Sequence, residues 1–277
     1  MNRRHSQAVG RVLKPIIGVA ITAVMLSPLL WMISASLQTR TQLYEIPAHI
    51  LPPTPTLANF EAVISTQIGS LGTSVVISVA TAILSLIISV PAAYALAQRQ
   101  FRWTGTIVLL LLITQMIPNV MTATPFYLMF SRLGLVNSYP ALVLADSTYA
   151  VPFAILVLRA FFVEVPAELR EAALIDGAGE LGALLRVVLP VVRTGVIAVG
   201  MFCFLFAWAD FVYALTLSTD GSVVPFTLSI YSFIGAQQTN WNELMAAAVL
   251  GIIPGAVLLI GAQRYIAAGL IGGAVKG

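Results

Sequence analysis

Two acidic residues, Asp146 and Asp210, stand inside long apolar stretches of the sequence. An acid at the centre of a bilayer costs roughly 2.5–3.5 kcal/mol on insertion scales, so each carboxyl group is expected to face protein or a water-filled cavity. In such a place it could bind a polar solute, carry a proton or cation, belong to a catalytic pair, or form a hydrogen bond between helices.

Other polar and aromatic residues occur in the same apolar stretches. Four of them join the two acids as candidates for a solute path: Gln115, Asn119, Tyr149 and Trp208. Gln115 and Asn119 flank Pro118, and a proline within a helix frees a backbone carbonyl group and permits a kink. A kinked pore helix and plain packing both agree with this pattern. No cluster of His, Cys and carboxylate residues has metal-ligand spacing, so we predict no metal site and assign no catalytic residue.

The composition is that of an integral membrane protein. Of the 277 residues 59% are hydrophobic and 9% charged, and the mean hydropathy is +0.95. A soluble domain has roughly 25% charged residues. The single cysteine, Cys203, excludes an intrachain disulfide, and its apolar surroundings favour a buried, inert thiol.

Six stretches reach the roughly 20 apolar residues that a spanning helix needs. They are residues 16–37, 71–97, 106–130, 141–162, 195–217 and 244–267. These spans predict an all-α integral membrane fold in one transmembrane domain, residues 1–277. The first span ends near Ser34-Ala35-Ser36 and also resembles a signal peptide, but its apolar run is long for one, and we expect a retained helix.

Lys and Arg residues predict the orientation, since they concentrate in cytoplasmic loops. With the N-terminus inside, twelve basic residues lie on the inner side and two, Arg40 and Arg132, on the outer side. The inner set is Arg3, Arg4, Arg11, Lys14, Arg99, Arg102, Arg159, Arg170, Arg186, Arg193, Arg264 and Lys276. Both termini are therefore expected in the cytoplasm. The prolines in residues 38–67 predict an extended outer crossing, and residues 218–243 a short exposed helix or a hairpin.

The largest inner connection, residues 164–194, is here called the inner segment. Val165-Pro166 opens it, helix formers run from Ala167 to Asp176, and Gly177 stands where a helix can end in a left-handed residue. A second helical stretch, Glu180 to Val188, is expected to end before Pro190. Two short helices with a sharp bend would suit either an ordinary connection or a docking surface for a cytoplasmic partner.

The inner segment resembles the EAA loop of permease subunits of binding-protein-dependent ABC importers. Glu171-Ala172-Ala173, Gly177, Val187 and Leu189-Pro190 match its spacing without a gap. The resemblance covers nearly the whole chain, including residues 55–60, 92–97, 116–118 and 133–137. Residues 263–277 are similar to the tail of the MalG-like carbohydrate branch, with Ile271 where that branch usually has Thr.

This resemblance implies a type I importer fold of six helices that forms half of a translocation pore in the cytoplasmic membrane of a prokaryote. The implied partners are a second homologous permease, two copies of an ATPase subunit and an extracytoplasmic binding protein, with no nucleic acid. The implied ATPase contacts are Glu171, Ala172, Ala173, Asp176, Gly177, Leu189 and Pro190. Glu171 would pair with a basic group, the alanines would permit close packing, and Gly177 would form the bend.

The chain has no G-x-x-x-x-G-K-[ST] phosphate loop, so ATP and Mg²⁺ are expected on the ATPase and not on this chain. The resemblance further implies a sugar or polyol phosphate as the solute, with Asp210 and Trp208 suited to a sugar path. Two other functions remain open. A secondary transporter would use Asp146 and Asp210 as ion carriers and would be sensitive to uncouplers. An intramembrane enzyme would use them as a catalytic pair, although no G-x-S-x-G or zinc signature supports it.

Overall fold

A computed structural model describes residues 2–98, 102–234 and 239–274. Arg99 and the last three residues of the tail motif, 275–277, lie outside the described residues. Within the described ranges the named secondary structure is helical, apart from one isolated bridge between Ile234 and Thr239. The helices are α1 (Asn2–Ser36), α2 (Arg40–Leu43), α3 (Ala58–Gln98), α4 (Thr104–Gln115), α5 (Asn119–Arg132), α6 (Tyr139–Val163), α7 (Ala167–Ile175), α8 (Glu180–Ala183), α9 (Leu189–Val191), α10 (Arg193–Ala209), α11 (Val212–Leu217), α12 (Phe226–Tyr231) and α13 (Trp241–Ala274).

Four segments are long and apolar enough to cross a membrane as single helices, in agreement with the expected multi-pass topology. They are Lys14–Ser36, Ala58–Gln98, Tyr139–Val163 and Trp241–Gly261. Two bent pairs raise the number of candidate spans in the described residues to six. These pairs are α4 with α5, bent by 92°, and Glu180–Val191 with α10, bent by 87°.

The second predicted span begins earlier than expected, because α3 starts at Ala58 and not near residue 71. The prediction of an extended outer crossing over residues 38–67 is therefore wrong at both ends of this stretch. Its first part contains the short helix α2, and its last part belongs to α3. The prolines restrict only the middle of this stretch. Residues 58–70 follow the last proline and contain no further one, so nothing prevents the helix from starting there.

The third predicted span, residues 106–130, is broken and not continuous. α4 ends at Gln115, and Pro118 has the extended conformation of an N-cap (φ −62°, ψ 135°) before α5 begins. A proline lacks the N–H group that would continue the helical ladder, and its ring collides with the preceding turn. The kink considered for this span is thus a near right-angle turn.

The fifth predicted span, residues 195–217, is also interrupted, so the placement of Asp210 within a helix was wrong. α10 ends at Ala209, and Asp210 is extended (φ −64°, ψ 130°). Its carboxylate accepts hydrogen bonds from the N–H groups of Tyr213 (3.3 Å) and Ala214 (3.0 Å). An acid in this position caps the first turn of α11 and favours the break.

The predicted helix in residues 218–243 exists as α12, but it is not an exposed helix. Phe226 and Ser229 are buried, and Ser74 on α3 accepts a hydrogen bond from the backbone N–H of Phe226 at 2.8 Å. α12 therefore packs against the interior instead of lying free in solvent.

The chain divides into two compact units, one of Met1–Thr66 with Ser232–Ile252 and one of Gln67–Tyr231 with Ile253–Gly277. The single transmembrane domain stays a prediction. In the first unit, amide side chains bind the carbonyl groups at the end of α1. Asn59 donates to Ser36 (2.8 Å) and Gln38 (2.9 Å), and Asn242 donates to Gln38 (2.8 Å).

The second unit contains two apolar clusters. The larger joins α3, α6 and α10 through residues such as Ala93, Leu158, Phe162 and Cys203, so the cysteine is buried as expected. The smaller cluster joins α5, α6 and α11 and includes Tyr213. The two clusters fix the helices that carry the candidate site residues.

Candidate functional site

The first helix of the inner segment ends in a Schellman motif at Gly177. The N–H of Gly177 donates to the carbonyl oxygen of Leu174 (3.1 Å), and that of Ala178 donates to Ala173 (3.0 Å). Gly177 has φ +87°, a conformation in which residues with a Cβ are strained. A Cβ added at Gly177 would meet no atom of this chain within 4 Å. The conformation of Gly177, and not crowding within the chain, therefore explains the glycine.

An ion pair joins the two helices of the inner segment. Arg170 on α7 donates from Nε to Oε2 of Glu180 (3.1 Å) and from Nη2 to Oε1 of the same residue. Tyr94 at the end of α3 donates to Glu180 Oε2 at 3.5 Å. The hydrogen bonds to Glu180 raise the pKa of Arg170 above its ordinary value. The pair fixes the angle between α7 and α8.

The predicted docking residues divide by exposure. Glu171, Ala172, Asp176, Gly177 and Pro190 are exposed, and Leu189 is half-buried. Ala173 is buried within the chain, with 6% of its surface exposed, so it packs inside this protein.

Ile175 and Leu181, which no sequence pattern predicted as site residues, are 86% and 64% exposed. Both side chains are therefore accessible to a partner of this chain. Ile175 directly precedes Asp176 and Gly177, so it shares their end of α7.

The second helical stretch of the inner segment was predicted to end before Pro190, but it continues past this residue. After α8 the chain forms a π-helical turn over Leu184–Val188 and continues into α9, which contains Pro190 in its first turn. A proline is tolerated there because its missing N–H group is not needed. The direction changes only at Val192, where the chain enters α10.

Five of the six predicted solute-path residues line two pockets that share side chains. The first, called the acidic pocket, is about 300 Å³ and is lined by Asn119, Asp146, Tyr149, Phe206, Ala209, Asp210, Phe211, Val212 and Tyr213. The second, about 390 Å³, is lined by Gln115, Met116, Ile117, Pro118, Asn119, Tyr149 and Phe206. The breaks before α5 and α11 bring these residues together.

The two acids of the pocket differ in their surroundings. Asp146 is 6% exposed, and its carboxyl group has no hydrogen-bond partner among the described residues. Asp210 is half-buried, and its carboxylate is occupied by the cap of α11. Part of its role is therefore structural.

Aromatic contacts shape the pocket wall. The rings of Tyr149 and Phe206 meet edge to face with centroids 4.9 Å apart. Gln115 donates to the carbonyl oxygen of Tyr149 at 3.1 Å, and the Tyr213 hydroxyl lies 2.8 Å from that of Thr122. These contacts hold the rings in place and leave Tyr149 facing both pockets.

Trp208 lies elsewhere and lines neither pocket. It is 8% exposed, and its ring stacks on Phe204 (centroid distance 5.9 Å) and Phe226 (6.4 Å). Phe206, two positions earlier, lines the pocket instead, because residues two apart on a helix point in opposite directions. Neither Phe206 nor Tyr213 was predicted as a site residue, although Tyr213 follows Asp210 by one helical turn.

The described residues bring no three His, Cys, Asp or Glu side chains close enough to hold a metal ion. The arrangement offers carboxyl, hydroxyl and amide groups beside aromatic faces. Such groups can bind a polar, hydroxylated solute, and the residues that line the two pockets include no Ser, Cys, Lys or His.

Comparisons with known proteins identify the family. Residues 89–272 match the model of "Binding-protein-dependent transport system inner membrane component". The chain is 32% identical to the sulfoquinovosyl glycerol transport system permease protein SmoH of Agrobacterium fabrum, over 95% of this chain and 94% of that protein. It is 30% identical to the trehalose transport system permease protein SugB of Mycobacterium tuberculosis, over 95% and 96%.

Solved structures confirm the predicted type I importer permease fold. A chain from a bacterial ABC transporter involved in the import of the acidic polysaccharide alginate superimposes with a TM-score of 0.81 at 21% identity, over 96% of this chain and 99% of that chain. A second alginate transporter structure, in complex with an alginate-bound periplasmic protein, gives 0.68 at 14% identity, over 94% and 95%. The chain therefore belongs to the family of inner membrane components of binding-protein-dependent transport systems and is a permease subunit.

Proposed function

We propose that this permease forms half of the translocation path of an ATP-driven sugar importer. Its partners are a second homologous permease, two copies of an ATPase subunit that bind ATP and Mg²⁺, and an extracytoplasmic binding protein. Support for a sugar comes from relatives named for trehalose, for arabinooligosaccharides (33% identical, Halalkalibacterium halodurans) and for sulfoquinovosyl glycerol. The distribution of Lys and Arg supports cytoplasmic termini in the inner membrane.

The geometry of the inner segment carries this proposal. α7 is short, mostly exposed and ended by a strained glycine, and the pair of Arg170 and Glu180 holds it against α8. An isolated helix of nine residues is unstable in water, so these contacts preserve its shape. An exposed helix that is held in this way can transmit the movement of a partner to the spans on either side.

The exposed residues of the inner segment make two kinds of contact with the ATPase. Ile175 and Leu181 supply the apolar contact, and Glu171 and Asp176 supply negative charge for basic groups on the ATPase. Ala172 permits close approach. The buried Ala173 and the half-buried Leu189 maintain the packing of the segment, and the exposed Pro190 restricts the backbone of α9.

The two pockets form this subunit's share of the solute path. Gln115, Asn119 and Tyr149 supply amide and hydroxyl groups, and Asp146 and Asp210 accept hydrogen bonds from sugar hydroxyls. Trp208 supports the helix ends by stacking. Nothing in the comparisons supports an ion-coupled transporter that works alone.

The test is purification of the tagged chain from its native membrane with whatever binds it, followed by ATP-dependent uptake in vesicles. Gly177→Trp is compared with Gly134→Trp. Gly134 (φ +66°) ends α5 in the same Schellman motif and also has nothing within 4 Å of an added Cβ. Both variants therefore bear the same strain, about 1–2 kcal/mol.

The wild type and Gly134→Trp should retain an ATPase, and Gly177→Trp should lose it while remaining in the membrane. If both variants lose the ATPase, backbone strain and not a lost docking contact explains the effect. A chain that purifies alone and moves a solute without ATP, in an uncoupler-sensitive manner, would disprove the proposal in favour of the secondary transporter.

A further inference from the structure

Two carboxyl groups, and no cationic side chain, line the acidic pocket. Asp146 and Asp210 line it, and neither pocket of the solute path has a Lys, Arg or His in its lining. The remaining polar groups are neutral amides and hydroxyls. A charged solute in this space would meet carboxyl groups first.

Asp146 is the group that points to a ligand. It is 94% buried, lines the pocket, and has no donor among the described residues. Its carboxyl oxygens open onto the pocket, and polar groups in such places normally have a hydrogen-bond partner. A hydroxyl or ammonium group of an entering solute would supply the missing donor, whereas a carboxylate, sulfonate or phosphate group could not.

We infer that the acidic pocket is a subsite for neutral or cationic saccharides and that it excludes anionic ones. The inference rests on the proposed function and narrows its substrate class. The edge-to-face rings of Tyr149 and Phe206 offer an apolar wall to a sugar ring, and Asp146 accepts from its hydroxyl or amino groups. Uronates, sulfonated sugars and polyol phosphates are repelled because opposing charge is absent and the site is poorly screened.

The test measures the electrostatic preference of the pocket with reagents of opposite charge. Asn119, which lines both pockets, is replaced by cysteine in the complete transporter in lipid nanodiscs. The rates of modification by a trimethylammonium and by a sulfonate methanethiosulfonate are then compared. Leu51→Cys, 78% exposed in an outer loop, gives the reference ratio. The wild type, whose only cysteine is the fully buried Cys203, gives the background.

The cationic reagent should be preferred at Asn119→Cys by roughly tenfold or more over the reference, because a cleft of one charge concentrates counter-ions. Asp146→Asn with Asp210→Asn should return the ratio to the reference. Asparagine is similar in size to aspartate and can still cap α11. Any change in thiolate fraction affects both reagents equally and cancels in the ratio.

Three results of the labelling would overturn the inference: a ratio equal to the reference, a ratio unchanged by the two Asn variants, or no reaction with either reagent. An uptake assay with trehalose, glucosamine and glucuronate provides the second readout. ATP-dependent uptake of glucuronate would overturn the inference and leave the importer proposal intact. Absence of an ATPase from the purified complex would disprove the importer proposal, while the reagent ratio would still report the charge of the pocket.

Discussion

The ion pair between Arg170 and Glu180 should determine how well α7 resists local opening. The side chains are 20% and 38% exposed, so solvent screens the pair only in part. A hydrogen bond to a charged group contributes about 1.5–3 kcal/mol, and an exposed pair about 0–1 kcal/mol. For this half-exposed, two-bond geometry we expect about 1 kcal/mol of coupling, a factor of about five in the opening equilibrium of α7.

Hydrogen–deuterium exchange of the α7 amides in the purified complex measures this opening. Arg170→Ala and Glu180→Ala should each accelerate exchange about fivefold, and the double variant should exchange no faster than either, because the same contact is lost. Arg186→Ala is the control. It removes an exposed charged side chain of the inner segment that has no ion pair among the described residues and no assigned ATPase contact, and should leave the exchange of α7 unchanged.

Salt and pH give two further checks on the pair. The advantage of the wild type should shrink in 1 M NaCl, where the Debye length is about 3 Å. The raised pKa of Arg170 means that its contribution is complete below the ordinary pKa and is lost only as pH rises through the raised one. Arg170 therefore stays charged at physiological pH. Unchanged exchange in both single variants, or multiplied effects in the double variant, would refute the reasoning.

Substitutions at three other positions test the packing that positions the site, each by thermal unfolding of the purified complex. Asn137 has φ 65° and accepts hydrogen bonds from Thr219 N (2.6 Å) and Oγ1 (3.2 Å). Asn137→Ala should therefore lower the free energy of unfolding by about 1–2 kcal/mol, and Asn137→Gly by less. Equal losses in the two variants would refute the contribution of backbone strain. The buried Thr81 hydroxyl has no partner in the described structure, so Thr81→Val should be neutral or stabilising, and a loss above about 1 kcal/mol would reveal a missing partner. An added Cβ at Gly195 would lie 2.6 Å from Cγ of Phe161, so Gly195→Ala should cost about 1–3 kcal/mol, and an unchanged midpoint would show that the ring yields freely.

The sequence alone predicted the parts of this protein that depend on local chemistry. Apolar runs of bilayer length predicted the membrane class and the approximate position of each span, because the hydrophobic effect acts on every residue of a run. Pro166 and Gly177 predicted where α7 begins and ends, since one lacks an N–H group and the other tolerates φ +87°. The unbroken EAA spacing indicated the family because all of its residues lie within one short segment of the sequence.

Tertiary structure decided the direction of the spans and which polar residues meet. Hydropathy indicates that residues 106–130 and 195–217 are apolar. It does not predict a 92° turn at Pro118 or an extended backbone at Asp210. Local caps contribute to these breaks, but partners distant in sequence also bind there: Gln115 donates to the carbonyl oxygen of Tyr149, and Thr227 donates to that of Asp210. For this reason Asp146 and Tyr149 meet Asp210 in one pocket, while Trp208, only two positions from Asp210, stacks on Phe226 instead.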